Sequence, residues 1–273
     1  MTTTTPEPVL TISQEELYFL LVLLKSRGIP GMEGIFEPDA TEIERTHLLD
    51  AARRALVARN IVTIHLDGRV TMDDFSLAVI GTCVRPIFSV IMENTGLDRS
   101  SGIFWHAIKG LLVEHTIPQQ GIHRYRALPA DTDLVRRLVG AAEVKLRDAA
   151  GQMEEGVVMQ EAFDRARKTA RDAGNETAGS EALTQGGLPL SDAKKLAAIL
   201  AATEASTTVA FIRHSYPAGE EQLLGGSAFS GSQGAVLSVP TSTGSGEVRV
   251  RPLNRQGWQD WLGLMLEVTR ETE

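Results

Sequence analysis

Apolar and polar positions along the chain follow two regular spacings, and the spacings change in the same order twice. A run with helical spacing at 74–84 is followed by four strand-like runs ending near residue 128 and by a second helical run. After residue 188 a helix, four strand-like runs and a closing helix follow in the same order. The pattern therefore predicts an internal duplication.

Within the strand-like runs, the alternation of side chains predicts antiparallel meanders that have one face in water. Aligning the two copies pairs Asp74 with Asp192 and Arg124 with Arg249. The predicted fold class is α+β, with a helix, an antiparallel β-meander and a helix in each copy. A helix that follows the first meander should begin at Asp131 or Thr132.

Two capping boxes predict helices before the first copy. Ser13 with Glu16 predicts a helix that starts near Gln14 and ends at Gly28, and Thr41 with Glu44 predicts another. The second helix has a stripe at helical spacing that we expect to face the core, formed by Ile43, His47, Leu48, Ala51, Ala52, Ala55 and Leu56. Two short strands should flank the turn at Asp67–Gly68.

The segment 151–187 separates the two copies. It begins as a helix and continues as "DAGNETAGSEALTQGG", which is small, polar and rich in glycine. Such a composition is typical of a mobile linker. We therefore expect an N-terminal half at 1–150, a helix and linker at 151–187 and a C-terminal half at 188–273, together forming one pseudo-symmetric domain.

Composition narrows the class of protein. The 273 residues are 42% hydrophobic and 23% charged, as in globular proteins. The net charge of −8 argues against broad contact with nucleic acid or anionic lipid, and the apolar run Leu17–Leu24 is too short to span a bilayer. The single cysteine, Cys83, allows no intrachain disulfide, so a reducing cytoplasm is the expected location.

No stretch carries a motif for catalysis or for cofactor binding. Phosphate-loop, nucleophile-elbow and zinc-protease patterns are all absent, and the Gly/Ser-rich run at 225–234 reads as a flexible hairpin. His106 and His115 lie on neighbouring predicted strands, but a histidine alone on a strand is usually structural. Cys83 lies in an apolar helix and is expected to be an inert thiol. The expectation is a non-enzymatic protein with no metal and no cofactor.

The stretch "LLDAARRALVARNIVTIHLDGRVTMDDFSLAVIGTCVRPIFSVI" resembles the EspG family, which is associated with type VII (ESX) secretion in actinobacteria. The later "VRVRPLNRQGWQDWLGLML" is similar to the last strand and closing helix of that family. The resemblance implies a pseudo-twofold fold in which a β-sheet is flanked by two helical bundles. It also implies a cytosolic chaperone for the PPE protein of a PE–PPE pair.

The resemblance further implies that the sheet and the C-terminal helices face the partner. In this chain the matching regions are the turn at 93–102 and the closing helix from Trp258. Tryptophan is also favoured at binding hot spots, although in a helix it is more often core. The expected partner-binding residues are Thr95, Gly96, Leu97, Asp98, Arg99, Trp258, Trp261 and Met265.

A second interpretation of residues 52–72 remains open. A helix followed by two short strands also fits the wing of a winged-helix DNA-binding regulator, with Arg53, Arg54 and Arg59 on phosphates. No second basic helix precedes the wing, and the total charge is negative. A helical protein partner is therefore preferred to nucleic acid. The sequence leaves the oligomeric state open.

Overall fold

The computed structural model describes residues 7–32, 41–96, 100–147, 153–172, 174–215, 220–242 and 244–270. The elements of the first half are β1 (Val9–Ser13), α1 (Gln14–Leu23), α2 (Glu42–Ala58), β2 (Val62–Ile64), β3 (Val70–Met72), α3 (Asp74–Val84), β4 (Phe88–Thr95), β5 (Ser100–Ile108), β6 (Leu111–Gln119), β7 (Ile122–Pro129) and α4 (Leu134–Ala141). Those of the second half are β8 (Gly156–Met159), α5 (Gln160–Asp172), α6 (Glu176–Gln185), α7 (Leu190–Ala201), β9 (Thr203–Ser215), β10 (Glu220–Gly231), β11 (Gly234–Pro240), β12 (Glu247–Pro252) and α8 (Arg255–Arg270).

Local chemistry fixes the ends of the first helices. Both predicted capping boxes are present, one at the start of α1 and one at the start of α2. The helix α1 ends before the predicted Gly28, because Lys25 takes a left-handed φ of 55° and the Ser26 amide donates to the Leu21 carbonyl. Helix α4 begins after its N-cap Asp133, one or two residues later than predicted.

Both halves contain the same order of elements: a strand, three helices, four strands and a helix. The first half adds the small β2–β3 hairpin between its second and third helices. Strands β4–β7 and β9–β12 are the predicted meanders, whereas the four-residue strand β8 lies in a stretch for which the sequence predicts only a helix. The fold class is α+β, as predicted, with one large antiparallel sheet.

The sheet has ten strands in the order β1-β7-β6-β5-β4-β9-β10-β11-β12-β8. Its two edges have the same register: Thr11 of β1 pairs with Arg124, and Val157 of β8 pairs with Arg249. Each arginine is the third residue of its strand, which agrees with the alignment of Arg124 with Arg249. The aspartates do not match as well, since Asp74 is the first residue of α3 and Asp192 is the third of α7.

The chain divides into two compact units. The first contains Met1–Ile91, Gly102–Thr132 and Arg213–Glu221, and the second contains Met92–Ser101, Asp133–Ile212 and Gln222–Glu273. In the first unit, the core is formed by β1, α1, α3 and the inward side chains of β6 and β7. A second core joins α5, α6 and α7 to β8, β11 and β12. None of the helices in the described residues is long and apolar enough to cross a membrane.

The prediction of a mobile linker at 174–187 is wrong. Residues Glu176–Gln185 form helix α6, which Asn175 caps and which packs against both α5 and α7. The small residues are needed for this packing, because a Cβ on Gly179 would lie 3.1 Å from the Cβ of Ala170. A Cβ on Gly186 would lie 2.5 Å from that of Ala162. Close helix packing therefore explains a composition that resembles a loop.

The close approach of neighbouring backbone and of the Trp261 ring explains why β10 contains glycines. The Gly/Ser-rich run does form a hairpin, with β10 and β11 paired from Ser227–Ser238 to Gly231–Gly234. A Cβ on Gly226 would lie 2.8 Å from the Ser238 carbonyl oxygen and 3.0 Å from the Trp261 ring. On Gly231 a Cβ would overlap the carbonyl of Ala202. These glycines allow a neighbouring backbone and an indole to lie directly on the strand.

Candidate partner-binding surface

Part of one face of β4, β9 and β10 is open to solvent in the second unit, up to Phe229 of β10, which packs on Phe163 of α5. Asn94 of β4 and Thr207 of β9 are buried and joined by a hydrogen bond, so both point to the covered face. Because successive side chains point to opposite faces of a strand, Thr95 and Thr208 lie on the other face, where both are exposed. On that face the hydroxyls of Thr208 and Ser227 are 2.9 Å apart.

The same alternation adds three side chains to this face. Leu223 of β10 is 63% exposed and is the large apolar residue among them, while Glu93 supplies a carboxylate. The surface can therefore offer hydroxyl donors and acceptors, the exposed carboxylate of Glu93 and an apolar contact at Leu223. We call it the open face and define it as Glu93, Thr95, Ser206, Thr208, Leu223 and Ser227.

The turn between β4 and β5 continues from the open face. Thr95 is exposed and Gly96 is half-buried, and Ser100 and Ser101 are exposed at the start of β5. The predicted residues Leu97, Asp98 and Arg99 lie outside the described residues. All described residues of the turn belong to the second unit, as the open face does.

Asn94 holds the base of this turn. Its Oδ1 accepts hydrogen bonds from the Thr207 hydroxyl at 2.7 Å and from the Glu143 amide at 3.2 Å. Its Nδ2 donates to the Ala141 carbonyl at 3.0 Å. One buried side chain thus ties β4, β9 and the end of α4 together directly before Thr95.

Replacing Asn94 by alanine is expected to lower the free energy of unfolding by about 2–3 kcal/mol, because several buried polar groups lose their partner. Urea denaturation should show a lower midpoint with an unchanged slope. The neighbouring exposed change Thr95→Ala is the matched control and should stay within about 0.5 kcal/mol of the wild type. Equal effects of the two changes would show that Asn94 does not anchor the turn.

The closing helix α8 lies on the opposite, covered face. Trp261 contacts Phe211 edge to face at a centroid distance of 6.1 Å, and Phe211 points to the same side of β9 as Thr207. Trp258 stacks on Trp261 at 5.2 Å, and the two indoles are only 1% and 4% exposed. They are core residues of this chain. Of the predicted helix stripe only Met265 is half-buried, while Leu264 is exposed.

A groove of about 340 Å³ lies beside the exposed side of α8. It is lined by Val135 of α4 and by Gly263, Leu266, Glu267 and Arg270 of α8. Partial burial lowers the pKa of the Arg270 guanidinium. The groove belongs to the α4–α8 layer, so it does not adjoin the open face on the other side of the sheet.

The first unit contains a buried cluster of three histidines. His106, His115 and His123 lie on three consecutive strands, and His115 stacks on Tyr125 at a centroid distance of 4.5 Å. His115 Nε2 and His123 Nδ1 are 2.9 Å apart, so the pair shares one proton between two nitrogens. Burial lowers the pKa of all three, that of His106 to about 3. The cluster is therefore neutral near pH 7.

A serine joins this cluster to an arrangement that resembles a catalytic triad. Ser89 Oγ is 3.1 Å from His214 Nε2, and His214 Nδ1 is 3.1 Å from the Glu221 carboxylate. Ser89 Oγ is also 3.0 Å from His106 Nδ1. No sequence pattern indicates this arrangement, because the three residues come from different strands. Ser89 is completely buried, so its hydroxyl is not presented to a substrate.

No metal site is formed by the residues that the structure describes. Those residues contain no group of three or more histidine, cysteine or acidic side chains that could hold an ion. Cys83 is buried, and burial raises the pKa of its thiol strongly. A thiol in this environment is protonated and unreactive, as the sequence predicts.

Two of the three arginines of the winged-helix interpretation have other contacts, and Arg54 is exposed. Arg59 Nη1 donates to both carboxylate oxygens of Glu16, at 2.9 and 3.0 Å, and Arg59 Nη2 donates to the Thr11 carbonyl on edge strand β1. Arg53 pairs with Asp50 at 3.2 Å. Arg59 therefore stabilises the first unit and shields the edge of its sheet. These contacts give the winged-helix alternative no support.

No family model matches the sequence, and no curated protein matches it. One solved structure that is similar is the type VII secretion system chaperone EspG5 of Mycobacterium tuberculosis, in complex with a PE25–PPE41 dimer. The TM-score is 0.67, and the match covers 97% of this chain and 98% of that chain at 12% identity. The chain has an EspG-like fold. The EspG-like fold spans the whole length, whereas the low identity transfers no individual site residue.

Proposed function

We propose that this protein is a cytosolic chaperone that binds a secreted helical protein of the PE–PPE kind. The observation that carries the proposal is the full-length similarity to a chaperone whose structure was solved with such a pair. A secreted helical protein with an apolar tip would self-associate before export, and a chaperone prevents this by covering the tip. The role is binding rather than catalysis.

We propose the open face and the turn at 95–101 as the partner-binding surface. The hydroxyls of Thr95, Ser206, Thr208 and Ser227 can exchange hydrogen bonds with polar groups at the end of a helix. Leu223 offers an exposed apolar contact in the same area. A surface of this composition suits a partly wet interface in which placement of polar groups determines specificity.

The turn contributes specificity in this proposal. It joins two strands that are held in the sheet, and Asn94 fixes its base, so its sequence can change without loss of the fold. The buried Trp258 and Trp261 take no part in binding. Met265 is half-buried beside the exposed Leu264 on the other face of the sheet and contributes only if the partner also reaches α8.

Exchanging residues 95–101 for a Gly/Ser linker should weaken capture of a PE–PPE pair at least tenfold, about 1.4 kcal/mol, and leave the thermal midpoint nearly unchanged. Capture is measured by titration of the purified chaperone with PE–PPE pairs from the native host. The matched control exchanges residues 66–69, the turn of the β2–β3 hairpin in the first unit, and should bind like the wild type.

The change Thr208→Arg tests the open face separately, because it places a long cation among the hydroxyls without touching the core. It should also weaken capture while thermal stability is retained. If no PE–PPE pair binds the wild-type protein, the proposed function fails. If a pair binds and both variants bind it equally well, the function stands and the proposed surface is wrong.

A further inference from the structure

Arg167 of α5 places a positive charge at the border of the open face. That border is Phe229 of β10, which packs on Phe163 of α5 at a ring-centroid distance of 5.8 Å. Arg167 follows Phe163 by one turn and lies on the same side of the helix. Its Cζ atom is 6.0 Å from the centre of the Phe229 ring, and the residue is exposed. The guanidinium therefore lies over the last covered side chain before the open face begins.

The open side of Phe229 is the side toward Ser227. Two residues after Phe229 and on the same face of β10, Gly231 is covered, since a Cβ there would overlap the carbonyl of Ala202. Two residues before Phe229, Ser227 is half-buried and belongs to the open face. An exposed guanidinium that contacts this ring therefore lies on the Ser227 side, next to the hydroxyls of the open face.

The charge of Arg167 is not neutralised within the part of the chain that the structure describes. There Arg167 forms no ion pair, and its contact is the Phe229 ring. Asp164, three residues earlier on α5, accepts a hydrogen bond from Gln160 at 2.9 Å instead. The aromatic face attracts the cation and holds the planar group, so less conformational freedom is lost when a ligand binds. The N–H donors remain available, and their fork matches a carboxylate.

Glu93 of β4 places a negative charge on the opposite flank of the open face. Asn94 and Thr207 are hydrogen-bonded on the covered face. This pairing sets Glu93 beside Thr208, whose hydroxyl is 2.9 Å from that of Ser227 on β10. Two strand spacings, about 10 Å, separate β4 from β10. An α-helix with its side chains is about 10–12 Å wide, so one helix end lying across β9 reaches both charges.

We propose that Arg167 and Glu93 select a partner whose helix end carries a carboxylate on one flank and a basic side chain on the other. The proposal rests on the proposed function, because the occupant is the secreted helical partner of the PE–PPE kind. The carboxylate pairs with Arg167, the basic side chain pairs with Glu93, and Leu223 supplies the apolar contact. A partner turned by 180° would bring like charges together, so the two flanks also determine its orientation.

Isothermal titration of the purified full chain with a PE–PPE pair that the wild type captures tests Arg167. The change Arg167→Glu should raise the dissociation constant about tenfold or more, because it opposes the carboxylate with a like charge. Arg165→Glu is the matched control: Arg165 is exposed about 160° around the same helix, and its variant should stay within about twofold of the wild type. Raising the salt concentration should weaken the wild-type complex more than the R167E complex. Arg167→Gln keeps much of the stem over Phe229 and should still weaken capture about threefold or more.

Glu93→Lys tests the other flank and should weaken capture about fivefold or more, whereas Glu161→Lys, on the outer side of α5, should not. If no PE–PPE pair binds the wild type, the proposed function fails and this inference fails with it. If a pair binds and R167E is captured as well as R165E, the inference is overturned while the function stands. An R167Q variant with the thermal midpoint and the affinity of the wild type overturns it as well.

Discussion

Truncating Trp261 to alanine is expected to lower the free energy of unfolding of the isolated chain by about 3–5 kcal/mol. The indole is 4% exposed, stacks on Trp258 and meets the edge of Phe211. Gly226 has no side chain, and this leaves room for the ring on β10. Removing the indole opens a cavity that these neighbours cannot fill, and chemical denaturation measures the loss.

Two further changes separate a core role from a binding role. Trp261→Phe should cost less than about 1.5 kcal/mol, because it keeps most of the volume and Nε1 of Trp261 makes no hydrogen bond. Leu264→Ala removes an exposed side chain of the same helix and should change stability by less than about 0.5 kcal/mol. If W261A left stability unchanged and abolished only partner capture, the indole would be an interface residue instead.

The duplicated meander could be predicted because alternation and turn signals are local properties of a sequence. Residues 122–126 alternate so regularly that strand β7 and its inward His123 and Tyr125 follow from the pattern. The partner of each outer strand could not be predicted in this way. Pairing of β1 with β7 and of β8 with β12 joins segments that are distant in sequence, and no short-range pattern records it.

Two predictions from the sequence are wrong, the linker at α6 and the core-facing stripe of α2, and their causes are opposite. In α6, small residues such as Gly179 have the composition of a loop but serve close packing of helices, so a buried helix was mistaken for a linker. In α2, the stripe that the sequence predicts to face the core is buried only at Ala52 and Leu56, because an apolar stripe looks the same in sequence whether it faces the core or water. Burial of Ala52 and exposure of Ile43 are decided by the path of the chain around them.

The open face and the Ser89 network could not be predicted from the sequence, and both for the same reason. Thr208 and Ser227, like Ser89 and His214, come together only because β9 is seated beside β4 and β10 in the sheet. The sequence does indicate the turn at 95–101 between two apolar strands. It cannot indicate which face of those strands remains uncovered, since that depends on where α4 and α8 pack.

The protein is expected to lose stability steeply as the pH falls below about 6.5, because the buried histidines of the first unit are neutral in the folded state. Burial, together with the neighbouring His214, lowers the pKa of His106 from 6.5 to about 3. Between these values the unfolded chain binds a proton that the folded chain does not, so acid favours unfolding. The stabilisation is complete above pH 6.5 and is lost progressively toward pH 3.

His106 alone accounts for about 1.4 kcal/mol per pH unit in that range, or on the order of 5 kcal/mol in total. The pKa values of His115 and His123 are lowered as well, so they steepen the dependence further. The variant His106→Asn keeps a polar atom near the position of Nδ1, where it can bond to Ser89, and removes one titrating group. Urea denaturation at pH values from 7.5 to 4.5 should give, below pH 6.5, a slope that is smaller by about 1.4 kcal/mol per pH unit than that of the wild type.

His65→Asn is the matched control, since His65 lies half-buried on the β2–β3 hairpin and its Nε2 is 2.8 Å from the Thr71 hydroxyl of the same hairpin. This variant removes a histidine outside the buried cluster, so a change of slope as large as that of H106N would show that the effect does not come from the cluster. The cluster explains acid sensitivity only if H106N is less stable than the wild type at pH 7.5 yet loses less stability on acidification. If the free energy of unfolding fell equally with pH in the wild type and in H106N, His106 would be hydrated or protonated in the folded chain. That would contradict its complete burial between β4 and β6.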